Sequence, residues 1–130
     1  MTHDIDFETL VAINKEVVEL TGDRHEYTEE DERRIRSMLK EVEEVGTTDD
    51  PKTAILEKAA LLTFKVASGQ NFHEGNKRTA LVAGLAFLEM NGYTLDFRNP
   101  ILVEVVDRAG VADATLNEVE DVLKKLIRDV

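Results

Sequence analysis

The segment 69–81, GQNFHEGNKRTAL, concentrates the side chains of this chain that can do chemistry. A histidine, a glutamate, a glycine, an asparagine, a lysine and an arginine occupy six consecutive positions between two apolar stretches. Glycine lets the backbone turn tightly and lets a ligand approach it closely. The first N–H groups of the helix that follows have no partner within that helix, and they lie at the positive end of its dipole. The pattern therefore predicts an anion-binding site at the start of the second helix.

The charged residues of this segment fit a polyphosphate ligand. Lys77 and Arg78 fall in the first turn of the second helix, where a cation opposes the helix dipole and an anionic ligand would remove the conflict. Glu74 precedes them and can hold a divalent cation that bridges phosphate oxygens, because hard cations prefer carboxylates. A purely structural interpretation fits the spacing as well. In it Gly75 closes a turn, Asn76 caps the helix, and the two cations lie in solvent or pair with acids.

The apolar residues in the rest of the chain recur at helical spacing. Helices 53–68 and 76–91 are apolar on more than one face, which predicts a central buried pair. Residues 93–97, YTLDF, fit a short strand or an extended segment. We expect an all-α fold, a compact bundle of about six helices that spans 1–130 as a single domain. The other helices are predicted over 5–20, 28–45, 99–109 and from Thr115 onward, with Phe7, Leu10, Val11, Val17 and Leu20 on the buried face of the first.

Local signals mark where these helices begin. Thr28 precedes four acids and can cap the second helix, while Asn99 stands before a proline that suits the first helical position. Thr115 and Glu118 have the spacing of a capping box. Residues 46–53, GTTDDPKT, form the clearest loop.

Charge and composition narrow the classes of function. The 130 residues include 27 acids and 16 bases, for a formal net charge of −11. This balance argues against a nucleic-acid partner, because phosphate contacts need Lys and Arg. An acidic surface maintains solubility, and a salt-loving source organism would also select for it. The chain has no cysteine, no apolar run of membrane length and no signal-peptide pattern, so we expect a cytoplasmic protein without a membrane partner.

The stretch NFHEGNKRTALVAGLAFLEMNGY, residues 71–93, resembles the signature of the Fic/Doc family, in particular its death-on-curing (Doc) branch. The resemblance extends upstream to 56–69 and 11–22. Leu81, where many Fic enzymes have a second arginine, is similar to the Doc branch. The signature reads His-x-Phe-x-Asp/Glu-Gly/Ala-Asn-Lys/Gly-Arg, and six of its positions are present in order: Phe72, Glu74, Gly75, Asn76, Lys77 and Arg78.

The resemblance implies a helical domain that binds ATP or another nucleoside triphosphate together with Mg²⁺. Fic members transfer a nucleotide to a hydroxyl of a target protein, and Doc members transfer a phosphate, with a translation elongation factor as the target. Residues 46–53 resemble the flap that aligns a target segment. Doc members are toxins silenced by an antitoxin whose disordered segment folds onto them. The implied residue roles are metal binding for Glu74, phosphate binding for Gly75, Asn76, Lys77 and the catalytic Arg78, and anchoring in the core for Phe72.

One position departs from the signature. Four residues before the acid, where the family has the histidine that takes the proton from the attacking hydroxyl, this chain has Gln70. A glutamine side chain does not titrate as a base near neutral pH. General base catalysis contributes about 10²–10⁴ in rate, or roughly 3–5 kcal/mol of barrier. Because positioning and charge neutralisation dominate phosphoryl transfer, we expect a toxin-like transferase that keeps nucleotide binding but is impaired in transfer.

Several alternatives stay open. His73 either replaces the missing base or is a loop histidine near solvent, and we interpret His3 and His25, outside the motif, as surface residues. Gln70 is either natural or an introduced substitution. Two other hypotheses are a catalytically inactive nucleotide- or partner-binding module with the same fold, and a helical interaction domain without nucleotide affinity.

Internal inhibition is a further family device, in which a helix carries Ser/Thr-x-x-x-Glu followed by Gly or Asn. Residues 28–33, TEEDER, supply Thr28 and Glu32, but Arg33 follows. We interpret this segment as an acid-rich helix N-terminus. A separate antitoxin chain is therefore the expected regulator.

Overall fold

The computed structural model describes residues 2–22, 27–69, 71–72 and 74–130. Two short strands, β1 (Tyr93–Thr94) and β2 (Arg128–Asp129), pair antiparallel, and β1 lies within the segment where the sequence allows a strand. The predicted all-α fold is confirmed. In the described ranges the chain forms six helices: α1 (Phe7–Leu20), α2 (Glu29–Glu44), α3 (Pro51–Ser68), α4 (Asn76–Met90), α5 (Pro100–Gly110) and α6 (Leu116–Leu126).

Side chains at the predicted positions cap the N-termini of three of these helices. The Thr28 hydroxyl accepts the backbone N–H of Asp31, and the Asp31 carboxylate accepts the N–H of Thr28, so a complete capping box opens α2. Asn99 and Thr115 likewise cap α5 and α6. The capping box predicted at Thr115 is only half formed. The Thr115 hydroxyl accepts the Glu118 N–H, but the Glu118 carboxylate accepts a hydrogen bond from Arg108 of α5 and not from the Thr115 N–H.

Helices α3 and α4 pack against each other at the centre, as predicted. Because α3 also contacts α2, α5 and α6, most of its residues are buried. By contrast, Leu81 and Val82 of α4 are only partly buried, since they line a groove between α1 and α5. One cluster of buried apolar residues contains members of all six helices. Helix α4 is therefore central, as predicted, but less fully buried than α3, because one of its sides faces this groove.

Two other sequence predictions need correction. Leu20, assigned to the buried face of the first helix, is 80% exposed because it lies in the last turn of α1 at the rim of that groove. The loop predicted over 46–53 is shorter, since Pro51 starts α3 and its last three residues form the first helical turn. We call residues 45–50 the α2–α3 loop and residues 69–75 the α3–α4 loop.

The beginning and the end of the described chain meet near the end of α4. The His3 N–H donates to Oδ1 of Asn91 at 2.7 Å, and Nδ2 of Asn91 donates to the His3 carbonyl at 2.9 Å. The Val130 N–H donates to the Gly92 carbonyl at 3.2 Å. Together with the β1–β2 pair, these bonds tie both segments to the C-terminal end of α4.

Three residues singled out in the sequence lie outside the described ranges, namely His25, Gln70 and His73. His3 is exposed, as expected. In the part of the chain that the structure describes, no helix combines the length and the apolar composition that crossing a membrane requires.

Candidate functional site

The α3–α4 loop enters α4 through Gly75, whose φ is +75°. A Cβ at this position would lie 3.1 Å from Cγ1 of Val17 and 3.3 Å from Cγ2 of Val18, so both the backbone angle and the space favour glycine. Gly75 is the N-cap residue and Asn76 the first helical one, so the alternative in which Asn76 caps the helix is wrong. Within the described ranges no side chain caps α4. Its first N–H groups are therefore left to a ligand or to solvent.

Two asparagine side chains hold the loop from within. Oδ1 of Asn76 accepts the N–H of Phe72 at 3.0 Å, and Nδ2 of Asn76 donates to the Phe72 carbonyl at 2.7 Å. Nδ2 of Asn71 donates to the carbonyl of Lys65, in the last turn of α3, at 2.9 Å. Phe72 itself is 3% exposed and belongs to the core cluster. The loop is thus fixed by a buried ring and two amides, and the Asn76 side chain is occupied by loop backbone.

A third asparagine reaches the loop from α1. Asn14 is 1% exposed, and its Nδ2 donates to the Glu74 carbonyl at 2.9 Å and to Oγ1 of Thr79 at 3.1 Å. Sequence reasoning missed both Asn14 and Asn71. The one available signal was an amide on the apolar face of the first helix, four residues after Leu10, since a buried amide must find a partner.

The three charged residues predicted for the site share one cavity of about 670 Å³. Glu74, Lys77 and Arg78 all line it, and all three are exposed. Although the chain has 27 acids, neither cation forms an ion pair with a carboxylate among the described residues. Pairing with neighbouring acids therefore does not explain Lys77 and Arg78 in that part of the chain, and both cations are open to an anion.

Lys77 reaches the cavity across the end of α5. A Cβ on Gly110, the last residue of that helix, would lie 2.8 Å from Cε and 3.3 Å from Cγ of Lys77. The aliphatic part of Lys77 therefore runs over the glycine, and its cation is close to the negative end of the α5 dipole, which favours it there. Gly110 lines the same cavity, and because it has no side chain it leaves room for Lys77 there.

The start of α2 supplies another wall of the cavity. Asp31 and Arg34 line it, and the buried Asp31 carboxylate accepts a hydrogen bond from the Arg34 guanidinium. Glu32, the acid of the inhibitory pattern, instead pairs with Arg36 at 3.3 Å. The start of α2 thus contributes Asp31 and Arg34 to the cavity and not the two residues of the inhibitory motif, and Arg34 adds a third cation.

A metal ion at this site would have few protein ligands. Among the residues that the structure describes, no three His, Cys, Asp or Glu lie close enough together to hold a metal ion. A single carboxylate such as that of Glu74 is enough for the usual arrangement of Mg²⁺, in which one or two carboxylates share the ion with substrate phosphates and water. The residues present therefore fit a Mg²⁺ that arrives with a triphosphate better than a metal bound by protein ligands alone.

The α2–α3 loop contains most of the segment assigned to the flap, and residues 47–50 are exposed. The Asp50 carboxylate accepts a hydrogen bond from the Thr53 hydroxyl, which lowers the pKa of Asp50. At the other end of the loop, Nζ of the buried Lys58 donates to two carbonyls in the last turn of α2, at 3.0 and 2.8 Å. The loop is therefore anchored at its two ends and exposed to solvent between them.

Comparison with known proteins places this site within a family. The model of the Fic/DOC family matches residues 4–88, from the segment before α1 almost to the end of α4. The chain belongs to the Fic/Doc family. The match includes the whole α3–α4 loop of this Fic/Doc protein and leaves α5 and α6 outside.

A relative of this Fic/Doc protein is the protein kinase doc of Escherichia phage P1, which is 34% identical over 74 residues. The matched part covers 57% of this chain, which spans 58% of the length of that relative. The family resemblance seen in the sequence is thereby confirmed, including its link to a Doc protein.

Proposed function

We propose that this Fic/Doc protein binds a nucleoside triphosphate such as ATP, with Mg²⁺, and transfers a phosphate to a hydroxyl of a protein substrate. The observation that carries the proposal is the pair Lys77 and Arg78, which form no ion pair in the described chain and lie in the first turn of a helix without a side-chain cap. An anion there meets backbone N–H groups, the helix dipole and two cations together. The name of the phage relative, a protein kinase, favours phosphate over nucleotide transfer.

In this proposal each wall of the cavity has a task. Glu74 holds Mg²⁺ through one carboxylate, and the bound ion supplies charge neutralisation on the phosphates. Lys77, the N–H groups of Gly75 and Asn76, and the catalytic Arg78 bind the phosphate oxygens. The buried side chain of Phe72 keeps this arrangement in place before the ligand arrives, so that little reorganisation is needed during transfer.

Gln70 limits the chemistry that we propose. At the family's base position a glutamine can accept a hydrogen bond from the attacking hydroxyl, but it does not take up its proton near neutral pH. Removing a general base lowers the rate by about 10²–10⁴. Binding and positioning do not depend on that proton transfer, so we propose full nucleotide affinity with slow transfer.

The proposed partners follow from the family resemblance. The substrate is a protein hydroxyl, with a translation elongation factor as the first candidate, and a separate antitoxin chain is the proposed regulator. A second candidate function is a binding module that holds nucleotide or partner without chemistry. Gln70 is the observation that favours it.

The deciding experiment compares the wild type with Gln70→His. Each protein is incubated with Mg²⁺ and a cell extract or purified elongation factor, in parallel with ATP labelled at the α- or the γ-phosphate. We expect the histidine variant to transfer γ-label about 10²–10⁴ faster than the wild type, because the base is restored. Transfer of α-label would assign nucleotide transfer instead.

Other outcomes separate the remaining hypotheses. Equal labelling by both proteins would mean that another group, such as His73, acts as the base. ATP binding without labelling by either protein would favour the binding module, and absence of both would favour a helical interaction domain. Two further variants test the site: Arg78→Ala should weaken ATP binding, and Glu74→Ala should remove its dependence on Mg²⁺.

A further inference from the structure

Asn14 is a buried polar residue on a helix that supplies none of the predicted ligand contacts. It is 1% exposed, beside Val17 and Val18 on the inward face of α1. An amide buried without partners is costly, so its hydrogen bonds decide whether it is tolerated. Of the bonds it donates, one goes to the Glu74 carbonyl in the α3–α4 loop at 2.9 Å and one to the Thr79 hydroxyl at the start of α4 at 3.1 Å.

These two bonds bracket the residues that would hold the phosphates. Glu74 lies directly before Gly75, the residue with a φ of +75°. Thr79 lies at the end of the first turn, where its N–H donates to the Gly75 carbonyl at 2.8 Å. One amide nitrogen therefore bonds to the backbone directly before residues 75–78 and to a side chain directly after them. The position of the Asn14 amide therefore bears on the orientation of the N–H groups between the two bonds and on the position of the Glu74 side chain.

We propose that Asn14 is a positioning residue that sets the affinity of the site for the complex of Mg²⁺ with a triphosphate, without touching either. The proposal rests on the proposed function of the cavity. Its physical basis is that a ligand bound by backbone N–H groups and one carboxylate is sensitive to small shifts of that backbone. Residues that orient metal ligands through hydrogen bonds typically contribute about 10- to 100-fold in affinity when they are replaced.

A general stabilising role is the competing explanation, and the chain offers a matched control. Asn91 also donates two hydrogen bonds from Nδ2, to the carbonyls of Phe87 at 2.8 Å and His3 at 2.9 Å, but at the opposite end of α4. If Asn14 acts only through stability, Asn14→Leu and Asn91→Leu will affect ligand binding alike. If it positions the turn, only Asn14→Leu will alter the site.

The test measures ATP binding by calorimetry with and without Mg²⁺, together with amide hydrogen exchange at residues 75–78 in the absence of ligand. For Asn14→Leu we expect Mg²⁺-ATP affinity to fall about 10- to 100-fold and exchange at 75–78 to accelerate. For Asn91→Leu we expect affinity within about twofold of the wild type. Thr79→Val, which removes one of the two bonds and keeps the side-chain volume, should give a smaller loss in the same direction and serves if Asn14→Leu does not fold.

Wild-type affinity and exchange rates in a folded Asn14→Leu protein, or in Thr79→Val when that alone folds, would overturn the proposal. Equal losses in the Asn14 and Asn91 variants would overturn it too. Failure of the wild type to bind Mg²⁺-ATP would instead overturn the proposed function. In that case unchanged exchange at 75–78 would also refute the structural part of the Asn14 proposal, and faster exchange would support it.

Discussion

The loops that precede the two central helices are built in opposite ways. The described part of the α3–α4 loop is held at several points, because buried or partly buried amides of Asn14, Asn71 and Asn76 bond to its backbone or to the end of α3. The α2–α3 loop is held mainly at its ends, by Lys58 at one and Asp50 at the other, and between them the Thr48 hydroxyl accepts one long hydrogen bond, from the Asp50 N–H at 3.4 Å.

The difference matches the tasks that we propose for them. A phosphate site gains from donors that are fixed before the ligand binds, whereas a segment that aligns a protein substrate can adapt to it. Side-chain amides that bond to the backbone therefore distinguish the α3–α4 loop from the α2–α3 loop, where Lys58 and Asp50 provide the anchors.

The largest expected effect is on Phe72, the buried anchor of the α3–α4 loop. Phe72→Ala removes a ring that is 3% exposed in the core cluster. Deleting a buried aromatic ring lowers the free energy of unfolding by about 3–5 kcal/mol. Urea unfolding measures this free energy. Phe97→Ala serves as the control, because Phe97 is only partly buried and its removal should cost less. A decrease for Phe72→Ala no greater than that of the control would contradict the assigned anchoring role.

Lys58→Met should weaken the anchor of the α2–α3 loop and lower the free energy of unfolding without changing ATP binding at the candidate site. The substitution keeps the aliphatic volume but removes the donor for the two α2 carbonyls, and each lost bond from a charged group contributes about 1.5–3 kcal/mol. Because the substitution also removes the desolvation cost of a buried charge, we expect the free energy of unfolding to fall by only about 1–3 kcal/mol, with ATP affinity unchanged. A change in ATP affinity as large as that of Arg78→Ala would show that the two loops are coupled.

Gly110→Ala should weaken ATP binding while leaving the free energy of unfolding almost unchanged. The new Cβ would displace Lys77 at a flexible part of its side chain, and alanine is the better helix former by about 1 kcal/mol. We expect the free energy of unfolding to stay within about 1 kcal/mol of the wild type, while ATP affinity falls as in Lys77→Ala. The double variant should bind no more weakly than Lys77→Ala alone. Additive losses would mean that Gly110 acts other than through Lys77.

The smallest effect concerns pH at the α2–α3 loop. Since the Thr53 hydroxyl holds the pKa of Asp50 below its ordinary value of 3.8, Asp50 stabilises the folded chain above that value, and the contribution is lost as pH falls through the lower folded pKa. Unfolding of the wild type and Thr53→Val at pH 7 and below pH 3.8 should show a difference that shrinks at acid pH. A difference that grows at acid pH would contradict this sign.

Most of the fold was open to prediction because its signals are local. Helical spacing together with cap and proline signals located the six helices of the described residues, and Thr28 and Asn99 marked two helix starts through contacts two or three residues away. The predicted site residues Glu74, Lys77 and Arg78 also adjoin one another in the sequence, and the structure places them in one cavity.

The remainder depends on contacts between distant segments, which spacing does not encode. The bond from Asn14 to the Glu74 carbonyl joins residues that are 60 positions apart. The partner of β1 comes from the last residues of the chain. Asp31 and Arg34 reach the cavity only because α2 folds back onto it. Each of these features follows from how helices pack, and an isolated helical pattern leaves that packing open.

The bonds that join His3 and Val130 to the Asn91–Gly92 turn have a practical consequence for experiments on this protein. Both segments lie at one end of α4, and the candidate site lies at the other. Fifteen helical residues separate the two ends, which corresponds to about 22 Å. A fluorescent label, a biotin or a sensor-chip linker attached near either residue would therefore leave the cavity facing the solution, where nucleotide and protein substrates can reach it.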